Sequence, residues 1–209
     1  EETAVMLAGD HGEEFQEHGH LSHYPKLYDE LIHVPFMIDV PGAPSRRIDR
    51  QVGLDAIPPT VTDLLSVDAH PAWEGQSLVP TVLDGEPPAD QPVVSITVRG
   101  EEVTSQPIPR SLSDGDLLVS VRNLEWTYIE NVDTGATELY HRPSDPSQQD
   151  DRSDDPGEEG REVVERFAGI VDDHARRIRE RTAETGEPDG EDADVDDDLQ
   201  TRLEALGYR

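Results

Sequence analysis

The stretch from Ala4 to Leu31 constrains this chain more than any other. An apolar run, Ala4-Val5-Met6-Leu7, reaches Gly9 and gives way at once to Asp10-His11-Gly12-Glu13. A short apolar run closed by small residues reads as a buried parallel strand that stops at Gly9. In open α/β sheets, ligands sit beyond the carboxyl ends of strands, which is where Asp10 and His11 fall. A carboxylate offers a hard oxygen donor and a neutral imidazole a nitrogen donor, so the pair suits a divalent cation. Gly9 and Gly12 permit the tight backbone that lets both side chains converge. The alternative is a polar strand-to-helix turn in which Asp10 caps a helix. His18, His20 and His23 follow, placing four histidines within thirteen residues, denser in proton-handling groups than any other part of the chain.

The charge balance narrows the function classes. The 209 residues carry a formal net charge of -30, and Lys26 is the one lysine beside sixteen arginines. Acidic residues are spread along the chain as well as clustered. This is the balance of a protein kept soluble in very high salt, of the haloarchaeal type, where screening cuts self-repulsion to a reach of roughly 3 Å or less. Partial disorder is the competing reading, because low hydrophobicity with high charge disfavours a core. Such acidity argues against binding a nucleic-acid backbone, which needs a basic patch. No cysteine is present, so the redox compartment is unread. No stretch approaches ~20 apolar residues, so no transmembrane helix is expected. Localisation stays open, with the cytoplasm favoured and export not ruled out. Oligomeric state is unread.

Along the chain, Phe36–Val40 reads as a strand between Pro35 and Pro41-Gly42. Residues 52–67 carry a helical stripe of Ile57, Val61, Leu64 and Leu65, with Asp55 as N-cap and Pro58-Pro59 in the first turn. A short helix starts at Pro80. Val93–Val98 is a strand expected in the main sheet, and 101–116 a long exposed loop. Strands follow at Leu117–Val121, Trp126–Glu130 and from Glu138. Residues 148–160 are acidic and expected to loop out. Residues 162–181 form an amphipathic helix that docks on the small sheet, 183–194 a linker, and 196–208 a second helix. Arg46, Arg47, Arg50, His70 and His141 read as surface residues.

Three separated phrases occur in order: Ala8-Gly9-Asp10-His11-Gly12-Glu13, then His18-Gly19, then Leu27-Tyr28-Asp29-Glu30-Leu31-Ile32-His33-Val34-Pro35-Phe36-Met37-Ile38. Together they resemble the C-terminal metal-site segment of the sulfatase family, within the alkaline phosphatase superfamily. Glu138-Leu139-Tyr140…Asp145-Pro146 and the terminal Leu-Gly-Tyr resemble later phrases of that family. The resemblance implies an α/β fold: the C-terminal part of an alkaline phosphatase-like mixed sheet sandwiched by helices, with a small antiparallel sheet plus helix subdomain. It places the α/β part at 1–100, the subdomain at 101–182 and an acidic linker with a terminal helix at 183–209. It also implies a metal-dependent sulfuric ester hydrolase, with a sulfate or phosphate ester as substrate. One divalent metal is expected, Ca2+ first, with Mg2+, Mn2+ or Zn2+ as alternatives. Asp10 and His11 would be metal ligands. His23 would contact the transferred group or its leaving oxygen as the catalytic residue, and Lys26 competes with it for the cationic, substrate-binding role. The family's nucleophile is a formylglycine made within a Cys/Ser-Xaa-Pro-Xaa-Arg motif, which this sequence lacks. The chain is therefore expected to be the C-terminal piece of a longer protein and inactive alone. A phosphodiester or phosphonate hydrolase or phosphotransferase of the same superfamily is one alternative. A non-catalytic acidic binding module is the other.

Overall fold

The computed structural model describes residues 3–99 and 115–185. The predicted loop before residue 115, the predicted linker beyond Thr185 and the predicted helix at 196–208 lie outside them. The chain divides into two compact units, Glu1–Arg176 and Arg177–Arg209, and all the described strands fall in the first.

Strand β1 (Val5–Ala8) pairs with β4 (Phe36–Asp39) in register from Val5↔Asp39 to Ala8↔Phe36. The pairing is antiparallel, not the parallel arrangement expected. The strand is also half-exposed rather than buried: Leu7 and its partner Met37 are each 58% exposed. Its alternation puts Met6 and Ala8 on the covered face and Val5 and Leu7 on the open one. On the covered side, Phe36 and Ile38 pack against Ala56, Leu78 and Val82.

Those last three residues come from a 3-10 turn over Leu54–Ala56 that runs into α2 (Ile57–Leu64), and from α3 (Val79–Leu83) with its N-cap Leu78. Asp55 lies inside the 3-10 turn and does not cap α2, whose N-cap position is Ala56. Thr60 joins the two helices instead. Its hydroxyl donates to the Ala56 carbonyl at 2.6 Å and accepts from Leu78 N at 2.9 Å.

The larger layer is a four-stranded antiparallel sheet in the order β5-β6-β7-β8, formed by Val93–Arg99, Asp116–Arg122, Trp126–Asn131 and Thr137–His141. β5, expected in the main sheet, is an edge strand here. Its seven residues pair with β6 from Val93↔Arg122 to Arg99↔Asp116. Strand alternation splits the sheet's side chains between two faces. One face, with Val119, Val121, Trp126, Tyr128 and Leu139, packs on helix α4 (Gly157–Thr185) through Val163, Phe167, Val171 and Ala175. Those four recur every fourth residue and make one apolar stripe. The other face, with Leu118, Ile129 and Tyr140, packs on Leu27, Tyr28 and Ile32. That contact seats the histidine-bearing segment and helix α1 (Asp29–Ile32) on the sheet. Among the described residues, no helix is long and apolar enough to cross a membrane.

Candidate metal centre

Beyond β1 the backbone is held from the far side of the loop. Gly9 N donates to the Pro35 carbonyl at 3.0 Å and Gly12 N to the Leu31 carbonyl at 2.8 Å. Gly12 is required by this approach, because a Cβ there would run into the Glu30 carbonyl oxygen. No helix follows Asp10, so it caps none: the chain runs on to a two-residue strand, β2 (Glu14–Phe15), that pairs with β3 (Leu21–Ser22). The Asp10 carboxylate instead accepts from His11 N at 3.0 Å. That hydrogen bond is the main reason its carboxyl sits below the ordinary aspartate value.

His11, Glu13 and His23 each offer a ligand atom, and the three atoms lie within 4.8 Å of one another. The His11 and His23 rings are 4.6 Å apart between centroids. His23 Nδ1 lies 3.3 Å from Glu13 Oε2 and 3.3 Å from the Ser22 hydroxyl. His11 Nδ1 sits 2.7 Å from the Gly12 carbonyl oxygen. A ring nitrogen facing a carbonyl must carry the proton, which leaves Nε2 with its lone pair free for a cation. Asp10 Oδ2 is 4.0 Å from that Nε2, so Asp10 and His11 can also share an ion. Two imidazoles and a carboxylate fit a divalent metal of the zinc or manganese kind, whereas calcium takes oxygen ligands.

The expected residues thus divide. His11 and His23 come together, with Asp10 beside them. Lys26 is elsewhere. It is 8% exposed, and its ammonium donates to Glu14 Oε2 at 2.8 Å, to His20 Nδ1 at 2.6 Å and to the His18 carbonyl at 3.3 Å. All three of its N–H donors face these partners inside the protein. Glu14 is 1% exposed and also accepts from the backbone N–H groups of His18 and His20, at 3.0 and 2.9 Å. Burial raises its pKa, but Lys26 and the two backbone donors outweigh that and hold the carboxyl below its ordinary value.

Sequence reasoning missed Glu13 as a member of the cluster. It also missed Glu14 as the residue around which the loop closes. A carboxylate two positions after His11 was the available signal for Glu13. His18 packs face to face on Tyr28 at 3.7 Å, with Nδ1 2.5 Å from Glu30 Oε1, which is a loop-structuring placement.

Comparison with known proteins falls on the same segment. Residues 1–67 match the Sulfatase family model. A Delta 4,5-hexuronate-2-O-sulfatase of Bacteroides thetaiotaomicron is 25% identical over 212 residues, which is 99% of this chain and 40% of that protein. The solved structure of a 2-O GAG sulfatase superposes with a TM-score of 0.64 at 21% identity, over 84% of this chain and 36% of the other. A phosphonate monoester hydrolase from Silicibacter pomeroyi gives 0.58 at 19% identity, over 88% and 35%. The chain shares the mixed α/β fold of these sulfatase and phosphonate hydrolase structures. It spans about two-fifths of the length of the curated relative it matches.

Proposed function

We propose that this chain forms one side of a metal-dependent sulfuric ester hydrolase site. The observation that carries the reading is the convergence of His11, Glu13 and His23 beyond β1, within the residues that match the Sulfatase family model. His11 is the ligand common to both possible donor sets, Asp10 with His11 and His11 with Glu13 and His23. A bound metal supplies Lewis acidity, drawing charge from the ester oxygens. Asp10 with His11, or His11 with Glu13 and His23, would hold it, and in the first set His23 is left to face the transferred group beside Glu13. The nitrogen donors favour manganese or zinc over calcium.

No Cys/Ser-Xaa-Pro-Xaa-Arg phrase occurs in the sequence, so under this reading the nucleophile comes from outside these residues. The hexuronate 2-O-sulfatase relative makes a 2-O-sulfated hexuronate the first substrate to try. The phosphonate monoester hydrolase neighbour, with its likeness over 88% of this chain, keeps phosphonate monoesters as the second reading. The salt-adapted charge balance and a cytoplasmic location remain part of the proposal.

The test is hydrolysis by the protein in the form its source makes, with a 2-O-sulfated hexuronate, an aryl sulfate and an aryl phosphonate monoester compared in high salt. Sulfate release that stops on chelation, and that His11→Ala abolishes, supports the reading. Turnover of the phosphonate alone moves it to the second reading, and full activity in His11→Ala removes the site. His23→Ala separates two roles. A loss of turnover with metal affinity kept makes His23 the catalytic group, and an equal loss of both makes it a ligand.

A further inference from the structure

Gln148 lies in a segment whose sequence predicts an exposed acidic loop, yet its side chain is 1% exposed. Its backbone is in the left-handed region at φ +53°. A non-glycine residue persists there only where its surroundings fix it, and such strain gathers at functional sites. The Gln148 backbone N–H donates to the Asp145 carbonyl at 3.2 Å within its own turn, and its other contacts lead to α1 and the histidine loop. Gln148 Oε1 accepts from Asp29 N at 2.7 Å. Tyr28, at the N-cap of α1, makes no side-chain cap of its own, so Gln148 provides the missing acceptor from 119 residues away. From the other end of α1, the Leu31 carbonyl takes the Gly12 N–H at 2.8 Å, between His11 and Glu13. The Gln148 carbonyl also lies 2.9 Å from His18 Nε2, while His18 Nδ1 meets Glu30 of α1 at 2.5 Å. Gln149 adds a donor to the Glu17 carbonyl at 3.0 Å. The turn itself is tied down by Asp145, whose carboxylate accepts from Gln149 N at 3.1 Å and Asp150 N at 2.9 Å.

We infer that Gln148 is a positioning residue for the candidate metal centre: through Asp29 and His18 it sets the loop that carries His11, Glu13 and His23. The turn after β8 is then a working part of the site. The inference rests on the proposed function for its metal readout and stands independently of it for its loop readout.

The test compares Gln148→Gly, Gln149→Ala and the parent chain of 209 residues. Glycine keeps the left-handed backbone and removes the side-chain acceptor together with the buried volume around it, which is why exchange in α4 is read alongside. Amide exchange in peptides spanning residues 9–24 should rise about tenfold in Gln148→Gly, while exchange in α4 stays as in the parent. Affinity for Mn2+, measured by titration calorimetry, should weaken by about tenfold, the usual effect of losing a residue that orients metal ligands. Gln149→Ala should show the same pattern more weakly, and it covers the case in which Gln148→Gly fails to fold. Unchanged exchange in residues 9–24, or a rise shared equally by α4, would overturn the inference. If neither the parent chain nor the protein in the form its source makes binds Mn2+, the proposed metal site fails, and the exchange comparison alone decides the role of Gln148.

Discussion

The two sheet regions of this molecule are held together by different means. Around the four-stranded sheet, Val119, Val121, Leu139, Phe167 and Val171 are fully buried, and strand and helix periodicities mesh in one apolar layer. Around β1 and β4 the open face shows Val5, Leu7 and Met37 to solvent. There the adjoining loop buries polar side chains, Glu14 and Lys26, beside Leu27, with Gln148 reaching in from beyond β8. One region is stabilised by apolar area, which is non-directional and tolerant. The loop beyond β1 depends on hydrogen bonds and on ion pairs, Glu14 with Lys26 and Asp29 with Arg122 and Arg142, which are directional and fail when a single partner is lost. A site that must hold imidazoles and carboxylates in fixed positions gains from the second arrangement.

Removing one group from each region gives the largest contrast. Phe167→Ala should cost about 3–5 kcal/mol of unfolding free energy, the range for emptying an aromatic core position. Lys26→Met should cost a similar amount, about 3–5 kcal/mol, by leaving Glu14 buried and unpaired. The two should then part. Glu14→Leu combined with Lys26→Met should recover most of the loss, because a buried pair replaced by apolar groups of like volume is close to neutral. Urea unfolding of the three variants checks this. A double variant no better than Lys26→Met would mean that Glu14 is needed chiefly for the His18 and His20 backbone donors.

A smaller effect separates the regions by pH. The folded-state pKa of Glu14 is depressed below its ordinary 4.5. A depressed carboxylate adds stability that is fully present above the unfolded value and is lost as pH falls through the folded one. Exchange protection of residues 14–26 should therefore fall below about pH 4.5 before that of α4 does. In Glu14→Gln this early loss should vanish. Simultaneous loss in both regions would show that they unfold as one unit.

Salt acts on the whole chain. With a net charge of -30, raising KCl from about 0.1 M to about 1 M should move the urea midpoint upward, since screening shortens from ~10 Å to ~3 Å. A midpoint that ignores salt would remove the salt-adaptation reading.

How far the sequence carried depended on which kind of interaction held each part. The Val163-Phe167-Val171 stripe and the apolar run Leu117–Val121 are local signals, and the helix and strand they predict are present. The run Val93–Val98 predicts a strand equally well, but alternation does not name its neighbour, and it pairs with β6 rather than the main sheet. Lys26 read as a candidate cation for the substrate because it is the one lysine and follows His23 by three residues. Its partner, Glu14, is on a two-residue strand too short to show an inward face. Asp10 and His11 were readable as a pair from adjacency, whereas Glu13 joins His11 and His23 through the fold of the loop. Gln148 could not be found at all, since a side-chain acceptor for a backbone N–H 119 residues away leaves no period and no motif.

The smallest expected effect concerns the open face of β1 and β4. Leu7→Thr and Met37→Thr change apolar side chains that are each 58% exposed and face one another across the two strands. Threonine keeps the strand preference, so each substitution should shift stability by no more than about 0.5 kcal/mol. A loss near 2 kcal/mol would mean that this face is covered in solution, because only a buried side chain costs that much to shorten. The β1–β4 region would then have a second apolar layer beside the one that Phe36 and Ile38 make with Ala56, Leu78 and Val82, and its dependence on Glu14, Lys26 and Gln148 would be shared with whatever lies across Leu7 and Met37.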